Sequence, residues 1–189
     1  MRDGRPSNVL ASSSRPNSPP IKAAIVKLTV SAGTPHQFSQ LELDALAKAR
    51  VIYVATIRKD STQSKAAPIW FTITSERGIL TQSGPDSWQA RRIRRGSPVI
   101  VWIGRRRGPA FIGKAEITDE PLFIGQIIND YPKKYLMARL GLHRPSKRSF
   151  ERGERLAINI TPLQALPQGF SSQPGAPAPN LEGVPVKAR

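Results

Sequence analysis

Short runs of β-branched and aromatic residues, each followed by a polar turn, recur along the middle of this chain. The first run covers residues 51–57, and a turn of charged and hydroxyl residues follows it at 59–62. Runs of this kind are typical of largely buried strands. Further runs of the same type occupy residues 66–74, 79–82, 98–104, 110–118 and 154–161. Short strands at this spacing, joined by turns, predict a closed antiparallel barrel of about six strands.

Helical patterns precede and interrupt these strands. Ser39 and Glu42 have the spacing of a capping box, which predicts a short helix ending near Ala49. A longer helical region begins at Asp119, and we expect Pro132 to split it into two helices. A basic loop is expected at residues 141–149, before the last strand. The sequence therefore predicts a mainly β protein with peripheral helices.

The two ends of the chain differ in composition from the middle. Residues 1–36 are rich in Ser, Pro and Arg, and residues 168–189 are rich in Pro, Gly and Ala. Such segments bury too little apolar surface to offset the entropy of the chain. We therefore expect a disordered N-terminal arm, one domain over residues 37–167 and a flexible C-terminal tail.

The composition excludes several kinds of site. The chain has no Cys, which rules out disulfides, thiolate catalysis and cysteine-ligated metals. His36 and His143 are its only histidines, and we predict no metal site. No stretch approaches the roughly 20 apolar residues that span a bilayer, so we expect a cytoplasmic protein without a membrane partner. Because the common catalytic motifs are missing, a bound cofactor would carry any catalysis.

Positive charge dominates the sequence, with a formal net charge of +16 from 29 Lys and Arg against 13 Asp and Glu. No acid lies between Ser87 and Lys114, a segment that holds a cluster of arginines. Such a surface favours a phosphorylated ligand or a polyanion, and a solvated basic face is the simplest alternative. Nucleic acid stays open as a partner but is disfavoured, because the aromatic residues Trp70, Phe71, Trp102 and Phe111 lie in apolar strands, where a role in the core is favoured over base stacking.

A phosphate cradle is predicted where the third strand ends and the next helix begins. Ser87 can cap a helix over residues 88–95, whose free backbone amides and dipole favour an anion. Thr81 and Ser83 add hydroxyl groups from the strand. Arg91 follows Ser87 by one turn, on the same face of the helix. Plain helix capping beside a solvated basic helix is the alternative interpretation.

Five segments that follow one another along the chain resemble the pyridoxamine 5'-phosphate oxidase-like split barrels, and the resemblance covers roughly residues 39–166. The segment 86–99 is similar to the family motif S-x-K-x-R-N-L-x-x-x-P-x-V, and 113–119 is similar to its G-x-A-x-x-x-D strand. The remaining three segments, which resemble the first, second and closing strands, are 50–60, 67–71 and 154–162.

The resemblance implies a six-stranded antiparallel split β-barrel of the FMN-binding type. It also implies a homodimer with FMN or the deazaflavin F-420 at the subunit interface. The implied activity is hydride transfer to or from an unidentified small molecule, with no obligatory acid or base from the protein. Catalytic residues stay unassigned. The cofactor-binding residues implied by position are Arg58, Lys65, Pro68, Trp70, Thr81, Gln82, Ser83, Ser87, Gln89, Arg91 and Arg92.

The chain departs from the family pattern in its helix motif and in its tail. Gln89 replaces the motif Lys and Arg92 replaces the Asn, so Arg91, Arg92 or Lys65 would have to supply the missing charge. The Pro- and Ala-rich end replaces the Arg- and His-rich substrate segment of the true oxidases, which argues against vitamin B6 oxidation. The alternatives are a flavin-binding or carrier protein without robust turnover, and a basic nucleic-acid-associated protein.

Overall fold

One antiparallel sheet, with helices around it, forms the body of the protein. The computed structural model describes residues 36–179. Its strands are β1 (Ile52–Thr56), β2 (Ala67–Ile69), β3 (Phe71–Ile73), β4 (Ile79–Ser83), β5 (Val99–Ile103), β6 (Ala110–Thr118) and β7 (Leu156–Ala165). Its helices are α1 (Gln40–Lys48), α2 (Trp88–Arg94), α3 (Pro121–Lys134), α4 (Leu136–Arg139) and α5 (Lys147–Glu151). The predicted mainly β fold with peripheral helices is confirmed.

The sheet order β2-β1-β5-β6-β7-β4-β3 shows how the barrel nearly closes. β2 pairs with β1 at one edge and β3 pairs with β4 at the other, yet only Trp70 separates β2 from β3 along the chain. The sheet must therefore curl until its two edges meet at Trp70. The sequence predicts one strand over residues 66–74, and its division at Trp70 accounts for the seventh strand in the described chain.

The interior of the barrel is apolar and closely packed. Phe71, Phe111 and Ile160 lie there fully buried, together with alternate residues of the other strands. At Gly113 the β6–β7 register shifts, and a Cβ atom would lie 2.7 Å from the Ile160 side chain. This confirms the bulge or close approach that a glycine inside a strand predicts.

Helix α1 agrees with the prediction from the sequence, whereas α3 and α5 differ from it. Ser39 and Glu42 form the predicted capping box. α3 runs through Pro132, so the predicted break at that residue is wrong; the helix ends instead at Tyr135, whose hydroxyl is held by the sheet. Ser146 caps α5 inside the segment predicted as a loop, because its hydroxyl accepts the Ser149 amide.

Part of the predicted C-terminal tail packs on the outer face of the barrel. The Phe170 ring stacks on Trp102 with centroids 6.0 Å apart, and the Trp102 Nε1 donates to the Phe170 carbonyl at 2.7 Å. Gln63 and Ala176 add a backbone hydrogen bond of 2.8 Å. Residues 180–189 of that tail and residues 1–35 of the predicted disordered arm lie outside the described residues, whereas His36, the last residue of that arm, lies 3.1 Å from the Glu42 carboxylate. None of the helices over residues 36–179 has the length and apolarity to cross a membrane.

Candidate functional site

The corner between β4 and α2 has the capping geometry that the sequence predicts. Ser87 is the N-cap of α2, and its Oγ accepts the Ala90 amide at 3.0 Å. The Ser83 Oγ lies 2.7 Å from the same Ser87 Oγ, which brings the strand hydroxyl to the start of the helix. We call the region formed by Arg58, Gln82, Ser83, Ser87, Gln89, Arg91 and Arg92 the α2 corner.

Two glutamines of the α2 corner carry buried polar atoms without a partner. The Oε1 of Gln82, on β4, and the Nε2 of Gln89, on α2, are shielded from solvent and have no hydrogen-bond partner among residues 36–179. A buried amide atom left unpaired costs about 1–3 kcal/mol, so most proteins satisfy such atoms or use them for a ligand. Gln82 precedes Ser83 on β4 and Gln89 follows Ser87 by two residues, so both amide groups belong to the elements that form the corner.

Arg92 is partly buried, and a hydrogen bond to β1 holds its guanidinium group in place. Its Nη1 donates to the Thr56 Oγ1 at 3.0 Å, and Thr56 in turn lies 3.2 Å from the Ser64 Oγ. Burial lowers the pKa of Arg92 from its ordinary value, and the nearby charges of Arg58 and Arg95 lower it further. The protein thus holds several guanidinium groups close together at an energetic cost.

The carboxylate of Asp60 acts on Arg58 and Arg92 from a distance, but no acid of the described residues pairs with them directly. Within residues 36–179, no carboxylate lies at ion-pair distance from Arg58, Arg91 or Arg92. Asp60 is the carboxylate nearest to Arg58 in sequence, but it accepts from the Thr62 amide and hydroxyl instead. These hydrogen bonds, led by the one from the Thr62 side chain, lower the pKa of Asp60. An anion from outside would relieve the repulsion among the arginines.

Trp88 lies beside the arginines of the α2 corner, and the sequence analysis did not predict it as a site residue. Its side chain is 69% exposed. The guanidinium carbons of Arg91 and Arg92 lie 5.3 and 5.7 Å from its ring centroid, within cation–π distance. The spacing of three and four residues from Trp88 to the two arginines was the available signal, because such residues share a helix face.

A second group of predicted residues lies in a different environment. Trp70 stacks on Tyr135 with centroids 4.5 Å apart and an interplanar angle of 6°. The Trp70 carbonyl accepts from both the Thr81 Oγ1 and the Tyr131 hydroxyl at 2.8 Å. We call Trp70, Thr81, Tyr131 and Tyr135 the Trp70 seam. The structure thus places Trp70 and Thr81 together, with the Thr81 hydroxyl bonded to the Trp70 carbonyl.

The Trp70 seam ties the open edge of β3 to α3. The Tyr135 hydroxyl accepts from the Phe71 amide at 2.7 Å and donates to the Phe71 carbonyl at 2.9 Å. Gln126 donates to the Ile73 carbonyl at 2.7 Å. Side chains therefore replace the neighbouring strand that β3 lacks, which protects the edge.

Burial at the seam shifts the pKa of its titratable groups. It raises the pKa of Tyr131 above the ordinary value and that of Tyr135 to about 12. Lys134 lies beside them with its Nζ 3.3 Å from the Phe71 ring centroid, and burial lowers its pKa to about 8. The remaining two predicted residues, Lys65 and Pro68, are exposed around the start of β2.

No protein-family model matches this chain, and no curated protein matches its sequence. The structure, in contrast, matches a candidate pyridoxamine 5'-phosphate oxidase from Listeria innocua with a TM-score of 0.50 and 18% identity, over 66% of this chain and 93% of the other. A conserved hypothetical protein from Mycobacterium tuberculosis matches with a TM-score of 0.50 and 17% identity, over 76% and 98% of the two chains. HutZ, the heme storage protein from Vibrio cholerae, matches with a TM-score of 0.51 and 14% identity, over 69% and 94%.

These matches confirm the resemblance at the level of the fold. The protein has the split-barrel architecture of the pyridoxamine 5'-phosphate oxidase-like proteins. At identities of 14–18% the likeness extends to the fold alone.

Proposed function

We propose that this protein binds FMN or the deazaflavin F-420 at the α2 corner and supports hydride transfer to or from a small molecule. The observation that carries the proposal is the Arg92 guanidinium, partly buried beside Arg58 with no carboxylate paired to either group. A phosphate or phosphodiester group is the anion that such a cluster suits, because guanidinium groups match its geometry.

The residues present fit the proposed cofactor. The three arginines of the α2 corner, Arg58, Arg91 and Arg92, and the Ser83–Ser87 hydroxyl pair would hold its anionic group. The Gln82 Oε1 and the Gln89 Nε2 would form hydrogen bonds with the polar edge of its ring. When bound, the ring system supplies the hydride chemistry, and the protein contributes binding, orientation and the exclusion of water.

The proposal includes a homodimer in which the partner subunit helps to cover the cofactor. Trp88 supports this part, since a large aromatic side chain that is 69% exposed beside a ligand site suits a contact surface. The location proposed for the protein is the cytoplasm, and its substrate is a small molecule that the α2 corner alone does not identify.

A second candidate function is binding or carriage without turnover. Its support is that HutZ, described as a heme storage protein, shares the fold. The same corner would then hold a cofactor or a related ring without using it as a reaction centre. A third candidate, binding of nucleic acid by the exposed arginines, is supported by the net charge of +16 and by the exposed Trp88 beside Arg91 and Arg92.

Titration separates these candidates. FMN and F-420 are titrated in turn into the purified protein while the fluorescence of the cofactor is recorded, and a short DNA duplex is titrated in parallel over a range of salt concentrations. The proposal expects saturable binding of at least one cofactor, followed by reduction or oxidation of that bound cofactor when candidate substrates are screened. Saturable binding without any turnover favours the carrier. Salt-sensitive DNA binding with no cofactor binding contradicts the proposal.

A further inference from the structure

A cavity lies well apart from the α2 corner, between α1, the β5–β6 turn and the end of β7. Its volume is about 970 Å³. Neither the arginines nor the glutamines of the α2 corner line it. We call it the α1 cavity. Its size falls at the upper end of the range for small-molecule sites in proteins.

The β5–β6 turn forms a firm wall of the α1 cavity. Gly104 donates to the Val51 carbonyl at 3.1 Å, and Gly108 donates to the Arg105 carbonyl at 2.8 Å. A Cβ atom at Gly108 would collide with the Ile103 carbonyl, so only glycine fits there. The turn is thus tied to the start of β1 and folded tightly on itself, which keeps the cavity preformed.

The lining of the cavity is apolar at its floor. Ala45, Ala49 and Ile103 contribute this surface, and Leu166 adds to it from beyond the end of β7. Leu41 stands at the rim with 58% of its surface exposed. An apolar floor next to an exposed leucine favours a ligand with an apolar body.

The rim of the cavity is positive. Lys48, Arg50, Arg105 and Arg107 line it, and none of them makes an ion pair within the described part of the chain. Glu42 is the acid that lines the cavity, and its side chain is already engaged. Its Oε2 accepts from the Ser39 amide and hydroxyl at 2.8 Å, and both carboxylate oxygens lie 3.1 Å from the His36 Nε2.

We propose that the α1 cavity binds a small amphipathic anion, a molecule with an aliphatic or aromatic body and a carboxylate or sulfonate end. The apolar floor takes the body, and the basic side chains at the rim attract the anionic end. Binding at this cavity needs no cofactor, and it can succeed or fail independently of the function proposed for the α2 corner.

Two competitors of opposite charge test whether the α1 cavity prefers an anion. The fluorescent anion 1-anilinonaphthalene-8-sulfonate is titrated into the full-length protein, and decanoate or decylammonium, each below its micelle concentration, is then added as a competitor. We expect saturable fluorescence that decanoate displaces and decylammonium does not. Equal displacement by the two ligands, or no saturable binding, overturns the proposal, because the rim charge would then have no role.

A pair of variants at the rim locates the site. Leu41→Glu adds a negative charge on an exposed position in the first turn of α1, where an acid does not disturb the helix. It should weaken binding of the anion by about tenfold or more, whereas Leu41→Lys should retain most of it. Leu142→Glu, at an exposed leucine that does not line the cavity, is the matched control and should leave binding unchanged.

Two outcomes of the variant experiment contradict the proposal. An equal loss in Leu142→Glu would place the probe elsewhere on the surface. A wild-type dimer by light scattering that Leu41→Glu converts to a monomer would show that a second copy of this chain covers the cavity. Binding of FMN or F-420, measured on the same samples, reports separately on the α2 corner.

Discussion

The Trp70 seam and the α2 corner both contain residues predicted to contact a cofactor. They differ in whether their buried polar groups have hydrogen-bond partners within the described part of the chain. At the seam, the Trp70 carbonyl and the backbone groups of Phe71 all find partners in buried hydroxyls. At the corner, amide atoms of Gln82 and Gln89 are buried without a partner, and the charge of Arg92 is crowded by Arg58.

This difference separates a structural role from a ligand-binding one. Satisfied, buried hydrogen bonds stabilise the folded state, whereas unpaired polar atoms and uncompensated charges lower stability unless something binds to them. We therefore infer that the seam closes the barrel and that the corner receives the ligand. Substitutions in the two regions should affect different measurements.

The largest effect should come from the seam. Tyr135→Phe removes the hydroxyl that bonds both backbone groups of Phe71, which should lower the free energy of unfolding by about 3 kcal/mol. Urea denaturation measures the change. Tyr53→Phe is the control, because no hydrogen bond of that hydroxyl occurs among the described residues and its loss should matter little. A folded Tyr135→Phe protein that also lost much of its cofactor affinity would contradict this assignment, because the seam would then take part in ligand binding.

The next effect should appear at the corner as a loss of binding. The double variant Ser87→Ala and Arg91→Ala should weaken FMN or F-420 binding by about 2–3 kcal/mol, since charge-assisted hydrogen bonds contribute about 1.5–3 kcal/mol each. Loss of the helix cap should cost only about 1 kcal/mol of stability. Calorimetric titration measures the affinity, with Arg144→Ala as a control at an exposed arginine outside the corner. Unchanged affinity in the double variant would show that the phosphate lies elsewhere.

Salt should affect the corner more than the seam. Raising the ionic strength from about 0.05 to about 0.5 M should weaken cofactor binding severalfold, because partly exposed guanidinium groups are screened. The loss of unfolding free energy caused by Tyr135→Phe should change far less over the same range, since the buried contacts of the seam are formed by neutral groups. Parallel titration and denaturation series measure both quantities. Binding that does not respond to salt would count against an electrostatic role for the arginines.

The smallest effect concerns Lys134, which lies against the seam. Burial lowers its pKa to about 8 from the ordinary 10.5, so the unfolded chain binds more protons between these values. The free energy of unfolding should therefore rise between about pH 8 and 10, by less than about 1 kcal/mol because the side chain is half exposed. Above about pH 10 the raised pKa of Tyr135 reverses the trend. Denaturation of Lys134→Met over the same range should show no such rise.

Local patterns were sufficient to predict most of the elements. The strands and the Ser39 and Ser87 caps depend on neighbouring residues, so they are visible in the sequence. The break of the second strand at Trp70 and the passage of α3 through Pro132 are not, because contacts between distant parts of the chain determine them.

The candidate site shows the same division between local and distant information. Ser83, Ser87 and Arg91 follow from their spacing around the start of a helix. The unpaired atoms of Gln82 and Gln89 become visible only when packing buries them. Likewise, the separation of Thr81 from the corner hydroxyls depends on the Trp70 carbonyl, which comes from another strand junction.

The most direct test of the account compares FMN with riboflavin, which has the same ring system but lacks the phosphate. The wild-type protein should bind FMN about 100-fold more tightly than riboflavin, and the double variant Arg58→Ala and Arg92→Ala should reduce that ratio to a few-fold. F-420 and its phosphate-free deazaflavin core form the parallel pair if FMN does not bind. A ratio near one in the wild-type protein for both pairs, or a ratio that the double variant leaves unchanged, would contradict the assignment of the α2 corner as the phosphate site.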